Sequence, residues 1–321
     1  MSRSTRALIV YMALLVSILL AIPVAAHPVS VSDTSRVDWF GKGRAVANIG
    51  IISRNTTGAG EFVWTDAKSD QRIVSTDGAT GNILSEIDLV KFNVTADTAN
   101  LYLLAKMDSI TNVTNNPSPE LMIAIDSDLN HTGGETALPD GIATNVAATA
   151  QWEYVVQTQF TNVSATARPK VFTPTASGIC LTCAAQLVSK DVQQGSFIEL
   201  QIPWDQIGGL PAPENFLRFT VLTHYSDKRA PSDGSSSTAI DVLSTTDTSD
   251  ELSGDNTINT HFDLHFTSSG EVFAPLLISE FLPDPPGSDT EGEWIEIVNP
   301  NSFPVSLQGY KVGDQVYRSG N

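Results

Sequence analysis

From residue 27 onward, apolar residues either alternate with polar ones or run in short blocks, and no long stretch repeats at helical spacing. Strands are predicted over residues 44–53, 61–65, 89–95, 100–107, 121–125, 149–158, 170–173, 197–203, 217–224, 239–245 and 261–266. Residues 96–99 read as the turn of a hairpin between the third and fourth of these. Five consecutive apolar residues, 121–125, read as a strand buried on both faces. Turn signals punctuate the pattern: residues 174–178, Gly208 and Gly209 with Pro211 and Pro213, and residues 231–237. Many short strands separated this way predict an all-β chain, a β-sandwich rather than βαβ units. Residues 246–259, polar and acidic, read as a loop near the end of this domain, with 261–266 as its closing strand.

The strand at 121–125 runs into Asp126, Asp128 and Asn130, spaced two apart, and Gly133 and Gly134 follow. Oxygen side chains at every second position ahead of a tight turn can converge on a hard cation such as Ca²⁺. The match to an EF-hand loop is partial, with His131 where that loop has Gly and Ala137 where it has Glu. The same pattern also describes a solvated turn in which Asx side chains cap a strand. Asp66 and Asp70 form a second acidic strand end after residues 61–65, and they are the further candidate ligands.

Composition narrows the function classes. Arg3 and Arg6 precede an apolar run over residues 7–22, and Val24, Ala25 and Ala26 supply small residues for cleavage. Residues 1–26 are therefore expected to be a cleaved secretory signal peptide, with an uncleaved N-terminal anchor as the alternative, and no other stretch is apolar enough to span a bilayer. Its removal takes away two Arg and no acid, moving the formal charge from −18 to −20. So acidic a chain argues against nucleic acid and anionic membranes as partners and suits divalent cations. A secreted or cell-surface location follows.

Within residues 44–267, the segments GEFVWTDAKSDQR, LMIAIDSD, AQWEYVV, FIELQIPWDQIGG, LRFTVLTHYSD and AIDVLS occur in that order. Together they resemble the C-terminal binding module of glucodextranase-type proteins, related to the DOMON and family-nine carbohydrate-binding sandwiches. That resemblance implies a non-catalytic jelly-roll-like or DOMON-like β-sandwich over residues 27–273. It also implies binding of polysaccharide, cell-surface glycan or cell-envelope material, with a structural calcium and Asp66, Asp70, Asp126 and Asp128 as strand-end ligands. From residue 274 the character changes. Ile278-Ser279-Glu280, the Pro/Gly-rich turn 283–288, Glu293-Trp294-Ile295-Glu296, Asn299-Pro300 and Leu307-Gln308-Gly309-Tyr310 resemble the start of an immunoglobulin-like lamin tail domain. Residues 274–321 are shorter than a full domain of that type, so a continuation beyond Asn321 is expected.

The remaining motifs are weaker. Cys180 and Cys183 form a lone CxxC, half a zinc site at most, and in an exported chain they are expected to form a local disulfide. Five histidines show no HExxH pairing, and no GxSxG, SxxK or P-loop occurs. Trp64 and Trp152 are the candidates for stacking on a sugar ring, although each sits beside apolar strand residues, where core packing is the alternative. Asn55, Asn93, Asn112, Asn130 and Asn162 stand in N-x-S/T sequons. The expectation is a secreted, non-catalytic binding or adhesion protein. The alternative is an accessory region of a longer secreted hydrolase, a glycosidase or nuclease.

Overall fold

In the computed structural model of the chain, the described residues are 28–31, 36–39, 49–54, 60–76, 79–82, 85–110, 117–129, 133–160, 169–174, 176–179, 184–188, 196–212, 216–273, 276–282, 294–299 and 307. The first strands are β1 (Ile49–Arg54), β2 (Gly60–Thr65), β3 (Val74–Thr76), β4 (Ala79–Asn82), β5 (Leu89–Ala96) and β6 (Asn100–Met107). The middle of the chain forms β7 (Pro119–Asp126), β8 (Asn145–Val146), β9 (Tyr154–Gln159), β10 (Lys170–Thr173), β11 (Ala176–Ile179), β12 (Ala184–Val188) and β13 (Ser196–Pro203). After a 3₁₀ turn, Trp204–Ile207, come β14 (Phe216–Tyr225), β15 (Asp241–Val242), the one-turn helix α1 (Thr248–Glu251), β16 (Thr257–Ile258), β17 (Phe262–Phe266) and β18 (Val272–Phe273). Strands β19 (Leu277–Leu282) and β20 (Trp294–Val298) end the series.

Two antiparallel sheets carry the fold. The first has the order β1-β2-β5-β6-β13-β12; the second runs β11-β10-β9-β7-β14-β17-β18, with β15 also paired to β14. The chain is thus all-β. The period of two explains how the sheets pack. On β7, Leu121, Ile123 and Ile125 point into a core shared with Phe62, Phe92, Val94, Leu103 and Leu200 of the first sheet. Met122 and Ala124 point the other way, into a second cluster with Leu138, Ile142, Val146, Trp152 and Ile258. The strand is buried along its whole length, as the apolar run at 121–125 predicts.

Between the sheets, Phe262 stacks on Phe62 at 4.5 Å and on Phe219 at 5.3 Å between ring centroids. On the outer face of the first sheet, Val29, Val31 and Trp39 cover Tyr102, Leu104 and Phe197. The predicted hairpin is present, its turn tied by Asp97, whose Oδ1 accepts from the amides of Ala99 and Asn100 at 2.7 Å. Gly270 packs against this turn with φ +86, where a Cβ would lie 2.3 Å from the carbonyl of Asp97. No other residue fits there.

Three boundaries differ from the sequence reading. The strand expected over 149–158 starts only at Tyr154, because Trp152 turns into the outer layer, bridging Glu135, and its indole donates to Ala137 O at 3.1 Å. The strand expected over 239–245 is reduced to β15, although Ile240 and Leu243 still donate to β14 carbonyls. The polar stretch 246–259 holds α1 and β16, which pairs in parallel with β8. Residues 1–26, the expected signal peptide, lie outside the described residues. Among the described residues, no helix is long and apolar enough to cross a membrane.

Strands β19 and β20 pair only with each other among the described strands. Their apolar side chains are uncovered, with Ile278 62% and Phe281 64% exposed. A core aromatic and one on this hairpin should therefore respond differently to truncation. Phe219→Ala is expected to cost about 3–5 kcal/mol, while Phe281→Ala should stay within about 0.5 kcal/mol. Urea denaturation of the full chain checks both values.

Candidate metal centre

A strand whose interior positions are apolar places its polar residues at its ends, and here the acids gather at two such ends. Asp66, Asp70 and Asp241 each bring a carboxylate oxygen within 4.8 Å of the others, and so do Asp126, Asp128 and Glu153. The two groups lie apart. Asp126 is paired across β14 with Arg218, whereas Asp241 is paired with Thr223. Five residues along a strand span about 17 Å. The expected single set of Asp126, Asp128, Asn130, Asp66 and Asp70 is thus divided between two places, and Asn130 lies outside the described residues.

The group at the end of β7 is an Asx turn. Asp126 Oδ1 accepts from the amides of Asp128 at 3.3 Å and Leu129 at 2.8 Å. Glu153 Oε2 accepts from the amide of Ser127 at 2.7 Å, and the loop closes over it at Gly134, where a Cβ would lie 2.5 Å from Glu153 Oε1. Asp126 Oδ2 is buried with no hydrogen bond. Burial pushes the Asp126 carboxyl up, but the two amides and the nearby Arg218 guanidinium pull against it. Arg218 itself is held in a two-pronged bridge to Asp263, at 2.7 and 2.8 Å. This end of the sheet already contains a fixed positive charge.

The other group lies where the sheets meet. Asp66 follows β2 and Asp88 precedes β5, neighbouring antiparallel strands of the first sheet, and the amide of Asp66 donates to Val90 O at 3.1 Å. Asp241 begins β15 in the second sheet. It crosses the seam: its Oδ2 accepts from the amide of Leu89 at 2.6 Å, and its Oδ1 from the amide of Val242 at 2.9 Å and Thr248 Oγ1 at 2.8 Å. Asp88 Oδ2 accepts from the amide of Ser69 at 3.0 Å, with Ser69 in the left-handed region at φ 68. Asp66 Oδ2, both oxygens of Asp70 and Asp88 Oδ1 have no hydrogen-bond partner.

Burial, reinforced by Asp241 and Asp70, pushes the Asp66 carboxyl up to about 10. Burial raises Asp70 to about 7 and Asp88 to about 6, each also feeling acidic neighbours. Asp241 is pushed well above the carboxylate range by complete burial and by Asp70. Two like charges 4 Å apart repel by about 4 kcal/mol at an effective dielectric constant of 20. Lys68 draws Asp88 down, but Lys68 and Arg72 make their direct ion pairs elsewhere. Lys68 is exposed on Asp108 at 2.7 Å, and Arg72 grips Asp233 at 2.7 and 2.9 Å and Ala239 O at 2.9 Å.

The chain matches no protein-family model and no curated protein. The site is therefore judged on its own chemistry.

Asp88, Asp241 and Glu153 were not among the sequence candidates. The signal for Asp241 was its place inside Ala239-Ile240-Asp241-Val242-Leu243, an acid where a buried strand should have an apolar residue. Trp64 and Trp152, expected as sugar-stacking residues, are 6% and 3% exposed. Trp64 packs against Phe262 in the inter-sheet core and Trp152 in the outer layer, so neither face is open to a ligand. Cys180 and Cys183 lie outside the described residues. Of the sequons, Asn93 is buried on β5 and closed to glycosylation in the folded chain, and the other four lie outside the described residues. His224 is wholly buried, and burial lowers it to about 4.

A raised carboxylate pKa stabilises the fold below its unfolded value and withdraws that stability as pH climbs to the folded value, at about 1.4 kcal/mol per unit for each group. His224 has the opposite sign and acts only below its unfolded value of 6.5. In chelator, urea stability should therefore fall as pH rises from 6.5 to 8, where Asp70 and Asp66 lose protons in the folded state later than in the unfolded one. Asp70→Asn should flatten that fall. A midpoint that does not move between these pH values would contradict the assigned shifts.

Proposed function

We propose that the chain is a secreted, non-catalytic binding or adhesion protein whose sandwich recognises polysaccharide or cell-envelope glycan, with calcium as a structural ion. The observation that carries this reading is an open surface hollow of about 480 Å³ between residues 233–236 and 249–256, lined mostly by exposed residues. Its lining includes Asp233, Ser235, Ser236, Ser253, Asp255 and Asn256, with Leu252 as the one apolar side chain. Ligand pockets in this size range are usually walled by apolar side chains. Hydroxyl, amide and carboxylate groups instead match a ligand that is itself covered in hydroxyls, since each polar group covered on binding then keeps a partner.

The walls are fixed before any ligand arrives, which lowers the entropy cost of binding. Ser236 Oγ and the Asn256 amide are joined at 2.7 Å, Asp233 is held by Arg72, and Ser253 Oγ donates to Asp250 O at 2.8 Å. The order of motifs resembling glucodextranase-type and DOMON-like modules supports the same ligand class. So does the strongly acidic composition, which suits neutral glycans and cations over nucleic acid.

The test is a glycan array followed by titration calorimetry of the full chain with soluble polysaccharides. Ser253 is exposed at the cavity rim, so Ser253→Trp fills the space without entering the core. Binding of at least one polysaccharide, weakened tenfold or more in Ser253→Trp, is expected. Binding untouched by that variant would move the site elsewhere, and a blank array would remove the glycan reading.

A further inference from the structure

We infer that Asp66, Asp70 and Asp241, backed by Asp88, form a buried divalent-cation site, selective for Ca²⁺, that clamps the two sheets of the sandwich together. The inference makes the structural-calcium part of the reading above specific and is independent of its glycan part.

Four properties of the site point to an ion. First, the ligand oxygens converge from both sheets: Asp66 from the end of β2, Asp70 four residues on, Asp241 from β15. Second, they are sequestered yet unsatisfied. Asp66 is 4% exposed and its Oδ2 has no hydrogen bond; neither oxygen of the buried Asp70 has one, so the atom it turns to the cluster is necessarily unpartnered. Buried polar atoms in folded proteins almost always have a partner, and such exceptions call for a reason, an ion among them. Third, Asp241 accepts three hydrogen bonds from two amides and a hydroxyl, donors that favour the ionised carboxylate against burial and fix both of its oxygens in place. Fourth, Lys68 and Arg72, the basic side chains beside the cluster, are engaged by Asp108 and Asp233.

The chemistry of the donors selects the ion. All are carboxylate oxygens, which suit hard cations and not zinc or copper. Mg²⁺ dehydrates reluctantly and is usually held by one or two carboxylates with several waters, whereas Ca²⁺ accepts many protein oxygens in flexible geometry. Three carboxylates converging at buried positions suit calcium better. The group at the end of β7 differs, since Arg218 acts on its central acid Asp126, whereas at the seam Lys68 acts on Asp88 and not on Asp66, Asp70 or Asp241.

The experiment is titration calorimetry of the full chain with CaCl2 and MgCl2, with thermal unfolding in EDTA and in 1 mM CaCl2. Wild type should bind Ca²⁺ in or below the range of about 10⁻⁴–10⁻³ M known for extracellular modules, bind Mg²⁺ at least tenfold more weakly, and gain several degrees in Tm. Asp70→Asn and Asp88→Asn are close in shape, remove one charge each and can place the new NH2 where the carboxylate oxygen accepts no hydrogen bond. Both should weaken Ca²⁺ binding tenfold or more while raising Tm in EDTA, a rise that damage to packing would not produce. Asp241→Asn should also weaken Ca²⁺ binding but lower Tm, because its NH2 would face a donor that Asp241 now accepts from. The double variant Asp126→Asn, Asp128→Asn should keep the wild-type calcium response. No calcium heat and no Tm shift in wild type, a response lost in the Asp126, Asp128 double variant, or one retained in Asp70→Asn would each overturn the assignment. Glycan binding by wild type in 1 mM CaCl2 separates failure of this site from failure of the cavity.

Discussion

Strand β7 is apolar on both faces from Leu121 to Ile125 and pairs with β14, and the rest of the architecture follows from covering the pair. One face of the pair meets the first sheet, and the other is sealed by residues around 138–146 and 239–258. Fully burying a large apolar side chain is worth about 1.5–3 kcal/mol. Leu121, Ile123, Ile125, Phe219 and Val221 alone therefore supply a driving force comparable to the net stability of a typical domain, most of it consumed by chain entropy. A strand buried this way has no solvent face on which to carry polar groups. Its charges are displaced to its ends, and the acidic loops at Asp126 and Asp241 are two such ends.

Displacement to an end does not guarantee solvent. At the β7 end Asp128 reaches water and Arg218 compensates Asp126. At the seam, Asp241 is wholly enclosed because the outer layer that covers Met122 and Leu222 also covers β15. Desolvation and mutual repulsion there act in one direction, against ionisation. Three amide and hydroxyl donors on Asp241 oppose them but supply no net charge. Neutralisation must come from protons or from a cation, and the two are distinguished by pH and chelator.

Much of the fold was legible in local pattern. The run at 121–125, the hairpin around Asp97 and the alternation in Phe262-Asp263-Leu264-His265-Phe266 each announce their burial by spacing alone. What spacing does not carry is register. Asp66 and Asp126 look equivalent in the sequence, both acids closing an apolar strand, yet their partners are set by which strands lie beside them. Asp66 meets Asp241 because β2 and β5 end against β15, a juxtaposition of residues 175 positions apart in the chain. Trp64 and Trp152 show the same limit from the apolar side. Their neighbours in sequence fit either a core or a binding face, and only the second sheet and the outer layer decide that both are enclosed.

The polar cavity and the carboxylate seam share a support. Thr248 opens α1 and donates to Asp241, while Ser249, the next residue, lines the cavity. On the other side Arg72, two residues after Asp70, holds Asp233 at the cavity wall and the carbonyls of residues 237 and 239 that lead into β15. A helix of four residues has too few internal hydrogen bonds to hold its own shape, so α1 takes its position from these anchors. Its amide at Thr248 reaches Asp70 O at 3.4 Å, and Val242 donates back to Thr248 Oγ1 at 3.1 Å. The charge state of Asp241 and Asp70 therefore bears directly on the placement of the residues that line the cavity. Carboxylates repelling one another would spread the seam and loosen α1, whereas a neutralised seam draws β2, β15 and α1 into the arrangement that shapes the cavity.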